Sequence, residues 1–198
     1  MKEGVIKFNS VWIKSKPIAN NLITGINKYR NKLYKLGLIG ETLDGIGFGN
    51  ISQRYQKNTF IISGSGTGSF SRLTNKHYAL VQHFNLEENT LTSTGQIVAS
   101  SESLTHAVIY ETQKNIHAVI HVHNKKLWKH LLQSLPATKK NISYGTVAMA
   151  NEIKRLFAEN DLIKHKIFAM AGHEDGVISF GKNFEEAFHI LNNAIDEM

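Results

Sequence analysis

No cysteine occurs among the 198 residues. Disulfides, thiolate zinc sites and a thiol nucleophile are therefore excluded, and the composition fits a reducing compartment. Proline is scarce, at Pro17 and Pro136 only, and no repeat or low-complexity tract marks a linker. Without such a boundary, residues 1–198 read as one domain, large enough to bury a sizeable core without covalent staples. No apolar run approaches the roughly 20 residues that span a bilayer. The opening MKEGVIKFNS has neither the basic head nor the apolar run of a secretory signal. These absences predict a cytoplasmic protein with no membrane partner.

Negative charge is also in short supply: 23 Lys and Arg stand against 16 Asp and Glu, a formal net charge of +7. A basic surplus attracts phosphates of any kind, nucleic acid included. Here the lysines are scattered. The densest grouping, Lys125, Lys126 and Lys129 with Lys139 and Lys140, has no interleaved aromatics and no recognisable nucleic-acid module. A solvated basic face is the favoured reading, with no nucleic-acid partner.

What is present alternates between two periodicities. Residues 1–17 read as an N-terminal arm, extended over residues 4–13, after which Leu22, Ile23, Ile26, Tyr29, Leu33 and Leu36 recur at helical spacing. Gly37 and Gly40 mark the end of that helix. Short apolar runs at 51–55 and 59–63 predict a hairpin feeding a GSGTGS loop, and 78–84 with 89–94 predict a second strand pair. Ser100 or Ser101 is placed to cap a helix carrying Leu104, Ala107 and Val108 on one face. A β-rich run at 118–123 follows, then a helix capped by Asn124 and running to about Leu135, and another over 147–159. Two strands, 166–170 and 176–180, flank the turn GHEDG. A last helix is expected to bury Phe184, Ala187, Phe188, Leu191, Ile195 and Met198. The mixture predicts an α/β sandwich with a largely antiparallel sheet.

His121 and His123 are two apart on a predicted strand, so their rings project from one face and can converge on an ion. With ten histidines in the chain, a chance pair of hydrogen-bonded or half-exposed rings is the plainer alternative. His173 is the best third candidate, because the glycine-bounded turn Gly172-His173-Glu174-Asp175-Gly176 can present a side chain at a sheet end. Three histidines would leave open positions on a divalent ion, as a catalytic metal needs. Ser100, Ser101 and Glu102 lie at a predicted helix N-terminus, where unpaired N–H groups suit an anion, although they also form an ordinary capping sequence. The glycine-rich loop over 63–69 could cradle a phosphate or simply turn the chain. It lacks the Lys-Ser/Thr ending of a nucleotide-binding loop.

The order of these pieces resembles the class II aldolase/adducin family. The residues that carry the resemblance are Gly49-Asn50-Ile51-Ser52-Gln53-Arg54, Ile62-Ser63-Gly64-Ser65-Gly66, Ser100-Ser101-Glu102 with His106, His121-Val122-His123, and His173 with Gly176 and Phe180-Gly181. The resemblance implies a three-layer α/β/α sandwich around a mainly antiparallel central sheet, assembled as a homotetramer with active sites near subunit boundaries. It further implies a divalent metal, Zn²⁺ before Mn²⁺, Co²⁺ or Fe²⁺, on His121, His123 and His173, with Glu102 as acid and base. Gly49, Asn50, Ser65, Gly66, Ser100 and Ser101 would surround a substrate phosphate. The implied activity is that of a lyase, an aldolase acting on a small ketose phosphate or related hydroxy-carbonyl substrate through an enediolate.

One departure bears on the reaction type. Fuculose-phosphate aldolase-like members carry a tyrosine after the HxH helix that reaches the substrate from a neighbouring subunit. Here the segment Pro136-Ala137-Thr138-Lys139-Lys140 is shortened and has no match, while Tyr144 reads as a core or edge-strand tyrosine. The same metal platform serves epimerases and a dehydratase, and a non-catalytic adducin-like interaction domain is a further alternative. Retention of three histidines and Glu102 counts against that last reading.

Overall fold

The computed structural model describes residues 4–198. Ten strands and six α-helices follow in chain order: β1 (Asn9–Lys14), α1 (Asn20–Lys35), β2 (Gly40–Glu41), β3 (Gly47–Phe48), β4 (Asn50–Arg54), β5 (Phe60–Ser63), β6 (Tyr78–Asn85), β7 (Thr90–Gly95), α2 (Ser103–Thr112), β8 (Ala118–His123), α3 (Lys125–Ser134), α4 (Val147–Glu159), α5 (Leu162–His165), β9 (Ile167–Ala169), β10 (Gly176–Gly181) and α6 (Phe184–Asp196). Eight strands form one sheet in the order β1-β7-β6-β5-β4-β8-β10-β9, and β2 pairs with β3 in a small separate hairpin. Within the large sheet β1 runs parallel to β7, whereas the remaining neighbours are antiparallel. Among the described residues no helix is long and apolar enough to cross a membrane.

Period-two alternation on β8 divides the molecule into three layers. Ala118, Ile120 and Val122 join Ile23, Ile26 and Leu33 of α1, Leu127 and Leu131 of α3, and Ala187 and Leu191 of α6 in one buried cluster. Val119 faces the other way, into a cluster with Leu104, Ala107 and Val108 of α2 and Met149, Ile153 and Leu156 of α4. His121 and His123 share the parity of Val119, so the strand delivers them to the α2 and α4 side. Several helix starts are fixed by side chains. Asn124 accepts from the Leu127 N–H at 3.0 Å, Thr146 from Met149 at 3.2 Å, and Asn183 from Glu186 at 2.8 Å, each satisfying a donor that a helix leaves unpaired.

Four local expectations change. The N-terminal arm is not separate from the sheet: residues 9–14 add a parallel edge strand in register Asn9↔Thr90 to Lys14↔Gly95, because the outer edge of β7 offers unpaired backbone groups. Its first three residues lie outside the described ones. Neither Ser100 nor Ser101 caps α2. The helix begins at Ser103 with Glu102 in the cap position, since Ser100 Oγ already accepts from the Glu102 N–H within a preceding turn. Met198 is about half exposed rather than a core residue, lying just past the end of α6, and Leu36 falls at the cap just past the end of α1. The β2/β3 hairpin and α5 are additional, and both are too short to leave a periodic signature.

Candidate metal centre and active site

Adjacent strand ends assemble the site. Asn50, which opens β4, is paired with His121 on β8, and Gly176, which opens β10, is paired with His123. The chain entering β10 makes a tight turn in which Gly176 N–H donates to the His173 carbonyl and His173 N–H to the Met170 carbonyl. This turn lifts His173 over the same sheet end. The three imidazoles converge: ring centroids are 5.1 Å apart for His121 and His123, 5.1 Å for His121 and His173, and 4.8 Å for His123 and His173. One nitrogen from each lies within 4.8 Å of the others. Gly176 makes room for them, because a Cβ there would stand 3.2 Å from both His121 Cε1 and His173 Cγ. Gly49, at φ +75°, is similarly required, since a Cβ would meet Ile39 at 2.8 Å and the His121 carbonyl at 3.2 Å.

The electrostatics suit a cation ligand. His121 is fully buried, and its Nδ1 lies 3.2 Å from the Val177 carbonyl, which selects the tautomer that donates there and leaves a lone pair on Nε2. That Nε2 has no hydrogen-bond partner among the described residues. Burial holds the imidazole well below its usual pKa, with Glu102 opposing and His123, His173 and His106 reinforcing the shift. Neutral imidazoles are the form that binds metal. Glu102, 1% exposed, points its carboxylate into the cluster, with Oε1 3.0 Å from His173 Nδ1 and 3.8 Å from His121 Nε2. A three-imidazole donor set with an orphaned buried nitrogen fits a borderline divalent ion such as zinc.

Three backbone segments from the expected phosphate site are laid side by side. β4 and β5 pair with Ser52 opposite Ile62, which carries Asn50 toward Gly64. Gly64 in turn forms an antiparallel bridge with Ala99, and the Ser65 N–H donates to the Val98 carbonyl, so the glycine-rich loop leaves the sheet beside the segment that leads into Ser100 and Ser101. Both serines are 5% exposed, and Asn50 is 6% exposed with an Oδ1 that lacks a hydrogen-bond partner among the described residues. Arg30, a buried cation on the otherwise apolar face of α1, steadies the glycine-rich loop by donating to the carbonyls of Thr67 at 2.9 Å and Gly68 at 3.0 Å.

Sequence reasoning assigned no role to a buried chain behind Glu102. His106 N–H donates to the Glu102 carbonyl, His106 Nδ1 lies 2.6 Å from Ser52 Oγ, and that oxygen is 2.8 Å from the Tyr110 hydroxyl. Burial lowers the His106 pKa to about 4, with Glu102 pulling the other way. The same burial raises that of Tyr110. Glu102, His106 and Tyr110 recur every four residues along an apolar helix, and that polar stripe is the signal by which they were findable. Tyr144, read as a core or edge-strand residue, is buried at 2% exposure. It also packs its ring on His173, with centroids 4.6 Å apart.

The family model of the class II aldolase and adducin N-terminal domain matches residues 32–194. Among solved structures, an L-fuculose 1-phosphate aldolase superposes with a TM-score of 0.68 at 19% identity, over 91% of this chain and 84% of that one. L-Fuculose-1-phosphate aldolase from Thermus thermophilus gives 0.65 at 20% identity, over 89% and 90%. A sugar-phosphate aldolase from Thermotoga maritima gives 0.60 at 14% identity, over 88% and 90%. At these identities the likeness is one of fold. Curated protein sequences give no match.

Proposed function

Because the chain belongs to the class II aldolase and adducin N-terminal domain family, as a class II aldolase-like enzyme, we propose that it is a divalent-metal lyase acting on a small ketose phosphate. The observation that carries this reading is the convergence of His121, His123 and His173 with the Glu102 carboxylate at one sheet end, beside the start of α2. The three histidines would hold the ion, zinc being the best match to the donor set. Bound there, it would act as a Lewis acid on a substrate carbonyl and its neighbouring hydroxyl.

The chain's own groups supply the remainder. Glu102, fixed at the cap position of α2, is placed to take a proton from a substrate hydroxyl and return it to carbon. Ser100 and Ser101 offer hydroxyl donors to a phosphate, assisted by the positive end of the α2 dipole. Asn50 can donate its amide, and Gly66, at φ +72° with nothing within 4 Å of where a Cβ would stand, lets a phosphate approach the backbone closely. Burial of these groups excludes water from the charged substrate and strengthens each contact. Subunit assembly as a homotetramer is part of the same proposal.

The test begins with metal content, expected at about one divalent ion per chain. Purified protein is then assayed against a panel of ketose phosphates for metal-dependent cleavage, with product analysis separating cleavage from epimerisation and dehydration. Glu102→Gln should keep the metal and lose turnover by about 10²- to 10⁴-fold, the range for a positioned acid–base group. Parental turnover in that variant would remove Glu102 from the mechanism. Protein that neither contains nor takes up a divalent ion would overturn the reading as a whole.

A further inference from the structure

The segment that precedes β1 packs against Tyr144, beside the metal centre, rather than trailing from the sheet. Val5 N–H donates to the Tyr144 hydroxyl at 3.1 Å. The Lys7 ammonium lies 3.5 Å from the centroid of the Tyr144 ring and donates to Ser143 Oγ. Phe8, 6% exposed, is anchored in the α2/α4 cluster, and Asn89 fixes the backbone by donating from Nδ2 to the Lys7 carbonyl at 2.8 Å. Tyr144 is therefore gripped by the arm at its hydroxyl and its ring, while the ring also packs on His173, tilted by 33°.

His173 depends on this support more than the other two histidines. His121 and His123 sit on a strand hydrogen-bonded on both sides, whereas His173 sits in a turn. The turn is braced by the segment that carries Tyr144. Ala171 N–H donates to Thr138 Oγ1 at 3.0 Å, and the Ile142 carbonyl lies so close to Gly172 that a Cβ there would be 1.9 Å from it. Gly145, at φ +66°, lets the chain pass within contact of the Ser101 carbonyl and of Lys7 and Phe8. The arm, Tyr144 and the turn holding His173 thus form one continuous packed column.

We propose that Tyr144 is a positioning residue of the metal centre, orienting His173 through its ring, and that the N-terminal segment 5–8 is the element that holds Tyr144 in place. This inference rests on the metal reading above. Residues that orient a metal-ligating imidazole typically change metal affinity by about 10- to 100-fold when removed. Because coupling between two equilibria is reciprocal, a metal that needs an oriented His173 must in turn favour the docked arm.

Both directions are measurable on the full chain with Co²⁺, whose visible spectrum reports ligand geometry. In the parent, adding Co²⁺ should slow amide exchange at residues 5–8 several-fold, Val5 above all. Tyr144→Leu should bind Co²⁺ at least tenfold more weakly and with an altered absorption envelope, whereas Tyr144→Phe, which keeps the ring, should stay within about threefold of the parent. Parental Co²⁺ affinity in Tyr144→Leu, or arm exchange indifferent to the metal, would overturn the inference. If Tyr144→Leu fails to fold, Lys7→Met replaces it: a several-fold weaker affinity supports the coupling and parental affinity overturns it. Failure of the parent itself to bind Co²⁺ would instead sink the metal reading on which the inference stands.

Discussion

Acidifying the metal-free protein from pH 7 to 4.5 should destabilise it through His106, by an amount the structure sets. The imidazole is fully buried, Ser52 engages its Nδ1, and its Nε2 has no hydrogen-bond partner among the described residues. Glu102, one turn earlier, favours the charged ring, but burial prevails and the pKa falls from its usual 6.5 to about 4. As pH drops below 6.5 the unfolded chain takes up the proton first, so folding stability declines and the loss is complete only below 4. Above 6.5 no penalty remains. At about 1.4 kcal/mol per pH unit between the two pKa values, the full loss approaches about 3 kcal/mol, of which about 2 kcal/mol falls between pH 7 and 4.5. His121 shifts in the same direction and Tyr110 stays neutral, so the informative quantity is the difference between the parent and His106→Gln, which keeps a partner for Ser52 but does not titrate. Urea unfolding followed by circular dichroism in the presence of a chelator, at several pH values across this window, should show the variant's stability declining less steeply, by about 2 kcal/mol overall. Parallel profiles for the two proteins would refute the reasoning, because they would mean that His106 is protonated without penalty in the folded state.

Two further substitutions probe the site's framework. Gly176→Ala places a methyl 3.2 Å from two of the imidazoles, so Co²⁺ titration should show metal affinity at least tenfold weaker with secondary structure intact; parental affinity would show that the rings have slack. Arg30→Met strips the carbonyls of Thr67 and Gly68 of a buried charged donor and should cost about 2–3 kcal/mol in urea unfolding. A change below about 0.5 kcal/mol would mean that the glycine-rich loop is held by other contacts.

Legibility in the sequence followed the range of the forces involved. The HxH pair was readable because strand alternation is local, and the structure brings both rings to the face the spacing implied. α4 begins at Val147 and ends at Glu159 as its periodicity indicated, and Asn124 caps α3 as its side chain allows. The start of α2 was misplaced by one or two residues because Ser100 has the chemistry of a cap but spends its oxygen within the preceding turn. β1 was legible as an extended arm but not as a strand of the sheet, because its pairing depends on β7, some 80 residues away. Helical periodicity on α2 was blunted for another reason: Ser103 through Tyr110 are all buried, so no polar face contrasts with an apolar one. Tyr144 could be recognised as buried, but only tertiary packing sets its ring against His173.

The arm that grips Tyr144 bears on the order in which the molecule can assemble. Its contacts join residues far apart in the chain: Lys7 to Asn89 over 82 residues, Lys7 to Ser143 over 136 and Val5 to Tyr144 over 139. Such contacts are rewarded only after the intervening loops have been closed. During synthesis residues 5–8 emerge before β6, β7 and the segment around Tyr144, and they have nothing to dock on until those have formed. Residues 5–8, made before the segments they dock on, are thus among the last of these residues to find their places.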